Sequence, residues 1–545
     1  VSSSKATGSE HPTLRAAQRA LKAKDWKRLT QIAGTLQQQR QWDAAEHCLQ
    51  QVLAQQADYR PAQIALAEHF LLGGRVDEAH QLTEAALTLK PEDPLLLLAY
   101  ARACVGMGEV EEGLAAFELA ESKPGPWQRQ AGLLFALNLA YVPDVTADDL
   151  RQCGVDWEAR YAPATPRSAR TMKRESGRFR IGYYSPDFRR HSMAHFLPPI
   201  LEQHDRETFE VFLYSDTHLP DAMTERYREL ADHWRDLTRR PDQQAVAMIR
   251  RDELDLLIDT SGFFGGCRPQ LFAPRPAPVQ AHLIGYNGTT GLDALDYRFT
   301  DAICEPPGTE AASSEKLWRL QPGFHCFRPA AEAPEPSPPP SVEQGYVTFG
   351  CFNHLAKLND EVVALWADLL RDQPESRLLL KAVTLANEST RQRVCARFQA
   401  HGIDPARIEA LPGTANPQDH LALYARVDIA LDPFPCNGTT TTLEALWMGV
   451  PVLTLLGQRH SARVSASLLT QVDLQECIAA DRPEFIAAAR RLADAVDTRV
   501  DWRTSLRERM RRAPLGDPRQ FVPNLEQAYR AMVHEAAALH RRGSS

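Results

Sequence analysis

Asn437 and Gly438 precede four consecutive threonines, 439–442, and Glu444, Gly449 and Pro451 follow at short intervals. The run VDIALD before them reads as a strand, DPFPCNG as a strand-to-helix loop and TTTTLEALWMG as the helix after it. The first N–H groups of a helix lack partners within it, and the macrodipole places about half a positive charge there. Gly438 would let backbone approach a ligand, and threonine hydroxyls add donors, so this mouth suits an anion, most naturally phosphate. Thr439, Thr440 and Thr441 are therefore expected to hold a diphosphate, with Asn437 and Gly438 as further binding positions in the same loop. Glu444, a turn further in, could accept from two ribose hydroxyls. One threonine would be explained as an N-cap alone; four in succession exceed that need.

Other residues could carry chemistry. Lys357, in FNHLAK, follows a predicted strand and can offset charge building on a departing diphosphate. His191, in SPDFRRHSMAH, lies just past the strand RIGYY, where a neutral imidazole can accept a hydroxyl proton. His195, four residues on, could share a face with it. A metal pair is disfavoured because HSMAH lacks the glutamate of HExxH, and a helix-packing role suits His195 better. A second glycine-threonine loop, GYNGTTG at 285–291, could bind phosphate and is read as lining for acceptor or sugar. Cys436 reads as a small packing residue.

These groups need a scaffold. The 545 residues carry 43% hydrophobic and 24% charged residues with a net charge of −8, which argues against a nucleic-acid or anionic-membrane footprint. No apolar run reaches the roughly 18 residues of a membrane span. Ten scattered cysteines without a CxxC pair favour reduced thiols, a cytoplasmic location and no structural zinc. Residues 1–12 read as a disordered start. Over 13–150 a small residue recurs every 34 positions: Ala45, Ala79 and Gly113, and again Ala33, Ala67 and Ala101. That helix–turn–helix period resembles the tetratricopeptide repeat, whose stacked units form a peptide-binding groove; the helices could equally just buttress the neighbouring domain. After a connector at 151–177, β-rich runs alternate with helical stretches over 178–328 and, beyond the proline-rich linker 329–345, again over 346–515. The fold class expected is α/β, two Rossmann-like domains after a helical solenoid, with a ligand cleft at the carboxyl ends of the strands. Residues 516–545 read as a C-terminal amphipathic helix.

Glu444-Ala445 with Gly449 and Pro451 looks like the E-A-x-x-x-G-x-P element of two-domain (GT-B) nucleotide-sugar glycosyltransferases. CNGTTTTLEALWMGVPVLT, together with YYSPDFRRHSMAHFLPP, FAPRPAPVQAHLIGYNGTTG and FGCFNHLAKLND, resembles the O-linked N-acetylglucosamine transferases of protein Ser and Thr. The resemblance runs from about 25 to 540. It implies an inverting, metal-independent transfer of N-acetylglucosamine from UDP-GlcNAc to protein hydroxyls, with no cofactor. Its partners would be the nucleotide sugar and an acceptor peptide guided by the repeat groove, not nucleic acid or membrane; a homo-oligomer is left open. By resemblance Lys357 contacts the diphosphate, His191 is the proposed base, His420 lies near the nucleotide, and the backbone at Leu411, Pro412 and Ala415 meets the uracil. GFHCF, 323–327, would line the sugar pocket. His354 stands where animal members carry glutamine and can still donate to phosphate. Thr439 replaces a histidine and Pro417 a lysine of those members, which bears on affinity more than on binding mode. Two other readings stay open: the same fold with a non-protein acceptor, and a repeat scaffold with a decayed transferase domain.

Overall fold

The computed structural model describes residues 12–163 and 177–543. The expected disordered start and much of the connector fall outside the described residues. The chain divides into two compact units: one up to Ala131 with Ala386–Thr390, the other Gly132–Leu385 with the chain from Arg391 onward.

The first unit is built of antiparallel helix pairs, including Trp26–Gln38, Trp42–Gln55, Arg60–Leu72, Val76–Leu89, Pro94–Met107 and Val110–Ser122. The 34-residue period has a packing cause. Ala33, Ala45, Ala67, Ala79 and Ala101 are completely buried, and a Cβ on Gly113 would stand 2.9 Å from the Ala101 carbonyl oxygen. Only small side chains let two helix backbones come that close. Asp93 caps Pro94–Met107 by accepting from the N–H groups of Leu95 and Leu96, and Gly108, at φ +93°, ends it in the left-handed region.

The second unit holds two parallel sheets. The first half contains β1 (Phe179–Ser185), β2 (Phe209–Ser215), β3 (His233–Asp236), β4 (Leu256–Asp259), β5 (Val279–His282), β6 (Tyr297–Thr300) and β7 (Lys316–Arg319), in the order β3-β2-β1-β4-β5-β6-β7. The second half contains β8 (Thr348–Cys351), β9 (Arg377–Lys381), β10 (Ile408–Leu411), β11 (Ile429–Leu431), β12 (Val452–Leu455) and β13 (Ile478–Ala479), in the order β10-β9-β8-β11-β12-β13. Both are doubly wound α/β sheets, as expected, and in each the order reverses beside its first strand, opening a crevice there. Polar groups join the halves: Arg298 donates to His460 Nδ1 at 3.1 Å, Ser467 to Asp301 at 2.6 Å and Arg463 to the Ile303 carbonyl at 2.6 Å.

One boundary departs from expectation, and the C-terminal helix lies where it was expected. Helix Ala147–Tyr161 runs through the boundary expected at 150/151 and belongs to the second unit. A capping box between Thr146 and Asp149 starts it, and its buried face, Leu150, Gly154 and Trp157, has no place in the repeat pattern. The C-terminal helix spans Pro518–Gly543 and packs on the first half, Tyr529 bonding Tyr183 at 3.0 Å and Glu526 bonding His204 at 2.8 Å.

Candidate functional site

The loop 432–438 leads from the end of β11 to the threonine run. Helix Thr440–Trp447 starts after Thr439, whose side chain makes no capping bond. Thr442 is buried and bonded to Ser465 at 2.9 Å, whereas Thr439, Thr440 and Thr441 are half-buried at the helix mouth. Thr441 donates to Asn353 Oδ1 at 3.0 Å, and the same oxygen receives Lys357 Nζ at 3.2 Å. Lys357 also donates to the Asn437 carbonyl at 2.6 Å. The ammonium is thus fixed beside the helix N-terminus, adding a full charge to the macrodipole.

Two expected donor contacts are corrected. Asn437 is fully buried, and its side chain is consumed by Pro433, Thr454 and Ser465. The Gly438 N–H donates to Asp432 at 2.7 Å and so does not face a ligand. A sharply turning buried loop must satisfy its own polar groups. Glycine is still required at 438, because a Cβ there would stand 2.4 Å from Thr441 Oγ1 and 2.8 Å from Thr442 Oγ1. Burial pushes the Asp432 carboxyl up to about 6, against these hydrogen bonds and the nearby Lys357.

A turn further along, Glu444 is held by His420, whose Nε2 lies 2.9 Å from its Oε2. His420 Nδ1 in turn lies 2.8 Å from Lys381 Nζ at the end of β9. No motif in the sequence singles out Lys381. It lines one pocket with His354, Lys357 and Asn353. His354 sits exposed at the rim, its Nδ1 accepting from Ala356 N–H at 3.2 Å. Leu411 pairs in register with Lys381 and its carbonyl accepts from Ala382; Pro412 and Ala415, just beyond, are exposed. Cys436 is buried.

In the first half, His191 caps a short turn, its Nδ1 3.4 Å from Met193 N and 3.7 Å from Asp187 Oδ2. Burial lowers its pKa, Asp187 opposes this and Arg189 adds to it, so the ring is neutral near neutral pH. His195 has a structural place: its Nδ1 lies 3.0 Å from the Arg328 carbonyl, and the Arg328 N–H donates back to its own carbonyl. In GFHCF, His325 is 1% exposed and neither ring nitrogen has a partner.

The second glycine-threonine loop does bind an anion, supplied by the chain itself. Thr289 and Thr290 hydroxyls donate to the Glu315 carboxylate at 2.7 and 2.5 Å, and the Thr290 N–H does so at 2.7 Å. That occupies the donors a phosphate would need. Asn287 from the same loop reaches across to the second half, its Nδ2 donating to Thr439 Oγ1 at 3.2 Å. Among the described residues, one mixed group of metal-capable side chains occurs, His80, Cys104 and Glu112 in the first unit; the Tyr100 hydroxyl already donates to Glu112.

The family model of glycosyl transferase family 41 matches residues 162–327 and 341–525. A Solanum lycopersicum protein named probable UDP-N-acetylglucosamine–peptide N-acetylglucosaminyltransferase SPINDLY is 38% identical over 416 residues, 75% of this chain and 45% of that protein. The Arabidopsis thaliana protein SEC, named for the same activity, is 31% identical over 67% of this chain and 38% of its own length. The chain thus spans less than half the length of these relatives. The solved structure of a mutant Thermobaculum terrenum O-GlcNAc transferase superposes with a TM-score of 0.86 at 32% identity, covering 97% of this chain and all of that one. With more than half its length matched by the family model, the chain belongs to glycosyl transferase family 41.

Proposed function

We propose that the chain transfers N-acetylglucosamine from UDP-GlcNAc to serine or threonine hydroxyls of proteins, with inversion and without a metal ion. The observation that carries this is the Lys357 ammonium fixed by Asn353 and the Asn437 carbonyl beside a helix N-terminus rich in threonine hydroxyls. The acceptor oxygen attacks the anomeric carbon from the face opposite UDP, and the bond from that carbon to the phosphate oxygen breaks. UDP leaves with both electrons of that bond. Lys357, the hydroxyls of Thr439, Thr440 and Thr441 and the helix N-terminus stabilise the charge that builds on it. His191 is the group we assign to receive the acceptor's proton. Lysine and helix dipole together supply the positive charge that a chelated metal would otherwise bring. The printed names of the tomato, Arabidopsis and Thermobaculum proteins support the choice of sugar and of a protein acceptor. A stacked-helix unit supports it too, because such units commonly bind extended peptides.

Calorimetric titration of UDP and UDP-GlcNAc into the metal-free protein tests this reading. Both should bind, and Lys357→Ala should weaken both by about tenfold or more, since hydrogen bonds to charged groups are worth about 1.5–3 kcal/mol. Absence of binding to the wild type would overturn the donor assignment. Binding without transfer of radiolabelled sugar to Ser/Thr peptides would overturn the acceptor assignment.

A further inference from the structure

Lys381 closes β9, one strand over from the strand that leads to Lys357. An ammonium has donors only, so in the 2.8 Å contact with His420 Nδ1 the lysine donates and the ring accepts. The one proton of the neutral ring is then on Nε2, where it is donated to Glu444 over 2.9 Å. Lys381 thus selects the His420 tautomer, and that tautomer anchors one carboxylate oxygen. The side chain is half-buried, its Nζ 6.0 Å from the centroid of the Phe352 ring. Phe352 in turn packs against His420 and Tyr424, with ring centroids 5.9 and 4.6 Å apart. The pocket lined by Lys381 also takes Lys357. The two cations serve different ends: Lys357 reaches Asn437 and the threonine helix mouth, Lys381 the Glu444 end.

We propose that Lys381 is a positioning residue that holds Glu444, through His420, as the acceptor for the ribose hydroxyls of the donor, and so makes the site select a ribonucleotide over its 2′-deoxy counterpart. This rests on the donor assignment proposed for the site. A carboxylate accepts at about four lone-pair positions. With Oε2 engaged by His420, Oε1 and the remaining positions can take the two O–H donors of a vicinal diol. A 2′-deoxyribose offers one donor fewer. Removing the ammonium frees His420 to carry its proton on Nδ1, which would set a ring lone pair against the carboxylate. Two acceptors facing each other repel, and Glu444 loses its fixed place.

The test compares UDP with 2′-deoxy-UDP by calorimetry, each variant first checked for an unchanged thermal melt. Wild type should prefer UDP by about tenfold or more, and Lys381→Met should cut that preference to about twofold. Lys381→Arg, which keeps a cationic donor, should restore most of it. Lys357→Ala should weaken both nucleotides alike and leave the ratio intact. Should Lys381→Met not fold, His420→Phe breaks the same chain at its middle and must reproduce the loss of preference. A ratio unchanged in Lys381→Met, or in His420→Phe, overturns the inference while leaving the donor assignment standing. Absence of binding of either nucleotide to wild type overturns both.

Discussion

At His191 two neighbours ask for opposite things. The Met193 N–H at 3.4 Å favours a lone pair on Nδ1, whereas the Asp187 carboxylate at 3.7 Å favours a proton there. For Nε2 to accept a proton from a substrate hydroxyl, the ring must carry its own on Nδ1, so Asp187 is the group that would make this histidine a base. A rate that depends on the neutral ring persists above its pKa and is lost as pH falls through it. Burial lowers that pKa below the ordinary 6.5, so the acid limb of kcat should fall below 6.5. Asp187→Asn removes the charge that raises the pKa and the anchor of the useful tautomer. The limb should move lower still while the plateau kcat drops by about tenfold or more. A pH–rate profile decides: an unmoved limb would remove Asp187 from the mechanism. At this scale the sequence was informative about residue type and blind to direction. Lys357 and the threonines stand out because their chemistry is unusual at a strand end. Asn437 looked equally suitable, yet its amide turns inward, and no spacing rule reveals which way a loop side chain points. Lys381 ends an apolar run, SRLLLK, and alone reads as a solvated terminus; its meaning depends on His420 and Glu444, which only the fold brings to it.

Among the elements, helix Ala147–Tyr161 positions the loop that carries Asn287. It crosses that loop so closely that a Cβ on Gly154 would stand 1.9 Å from the Thr290 carbonyl oxygen and 2.9 Å from Gly291 Cα. Four residues on, Glu158 accepts from the backbone N–H groups of Asp293 and Ala294 at 2.8 and 3.0 Å. Gly291 itself sits at φ +72°, so the loop cannot readily yield. Gly154→Ala should therefore cost about 1–3 kcal/mol. It should also raise the KM for the nucleotide sugar, because the Asn287 contact with Thr439 shifts with the loop. Gly34→Ala, in a helix with open space around it, is the control and should stabilise by about 0.5–1 kcal/mol. Thermal melts and donor KM on the two variants check both expectations; a Gly154→Ala protein with unchanged melting would show that the helix has room to retreat. The strands read at RIGYY and VDIALD are present as β1 and β11, since apolar and aromatic runs closed by Ser or Asp are distinctive. Strands β3 (HWRD), β6 (YRFT), β7 (KLWR) and β13 (IA) went unread because segments this short, three of them carrying charges, do not show the apolar run of a buried strand. The Glu315 carboxylate inside the second threonine loop was equally hidden, being a pairing made by topology rather than by neighbouring sequence.

For the molecule as a whole, the path of the chain matters as much as its sheets. After completing the second half, the chain returns to the first through helix Pro518–Gly543. Val522, Leu525, Tyr529 and Met532 of this helix are fully buried. Tyr529 meets Tyr183 of β1, Glu526 meets His204, and Tyr297 of β6 donates to Glu535 at 3.2 Å. The helix therefore completes the core of the half that carries His191 and Asn287, though it follows in sequence the half that carries Lys357. Burying four such side chains is worth together about 6–12 kcal/mol, comparable with the roughly 5–15 kcal/mol that holds a typical domain folded. A chain ending at Asp517 should consequently lose the cooperative melt of the first half, and with it every function that needs the two halves opposed. Tyr529→Phe removes only a hydroxyl and should leave the fold intact with a loss of about 1 kcal/mol. Circular dichroism melts of the truncated chain and of Tyr529→Phe separate the two cases. If the truncated chain melts as sharply and as high as the intact one, the first half closes its own core and the helix is an accessory. If it does not, the last helix is part of the fold that sets the two walls of the cleft against each other.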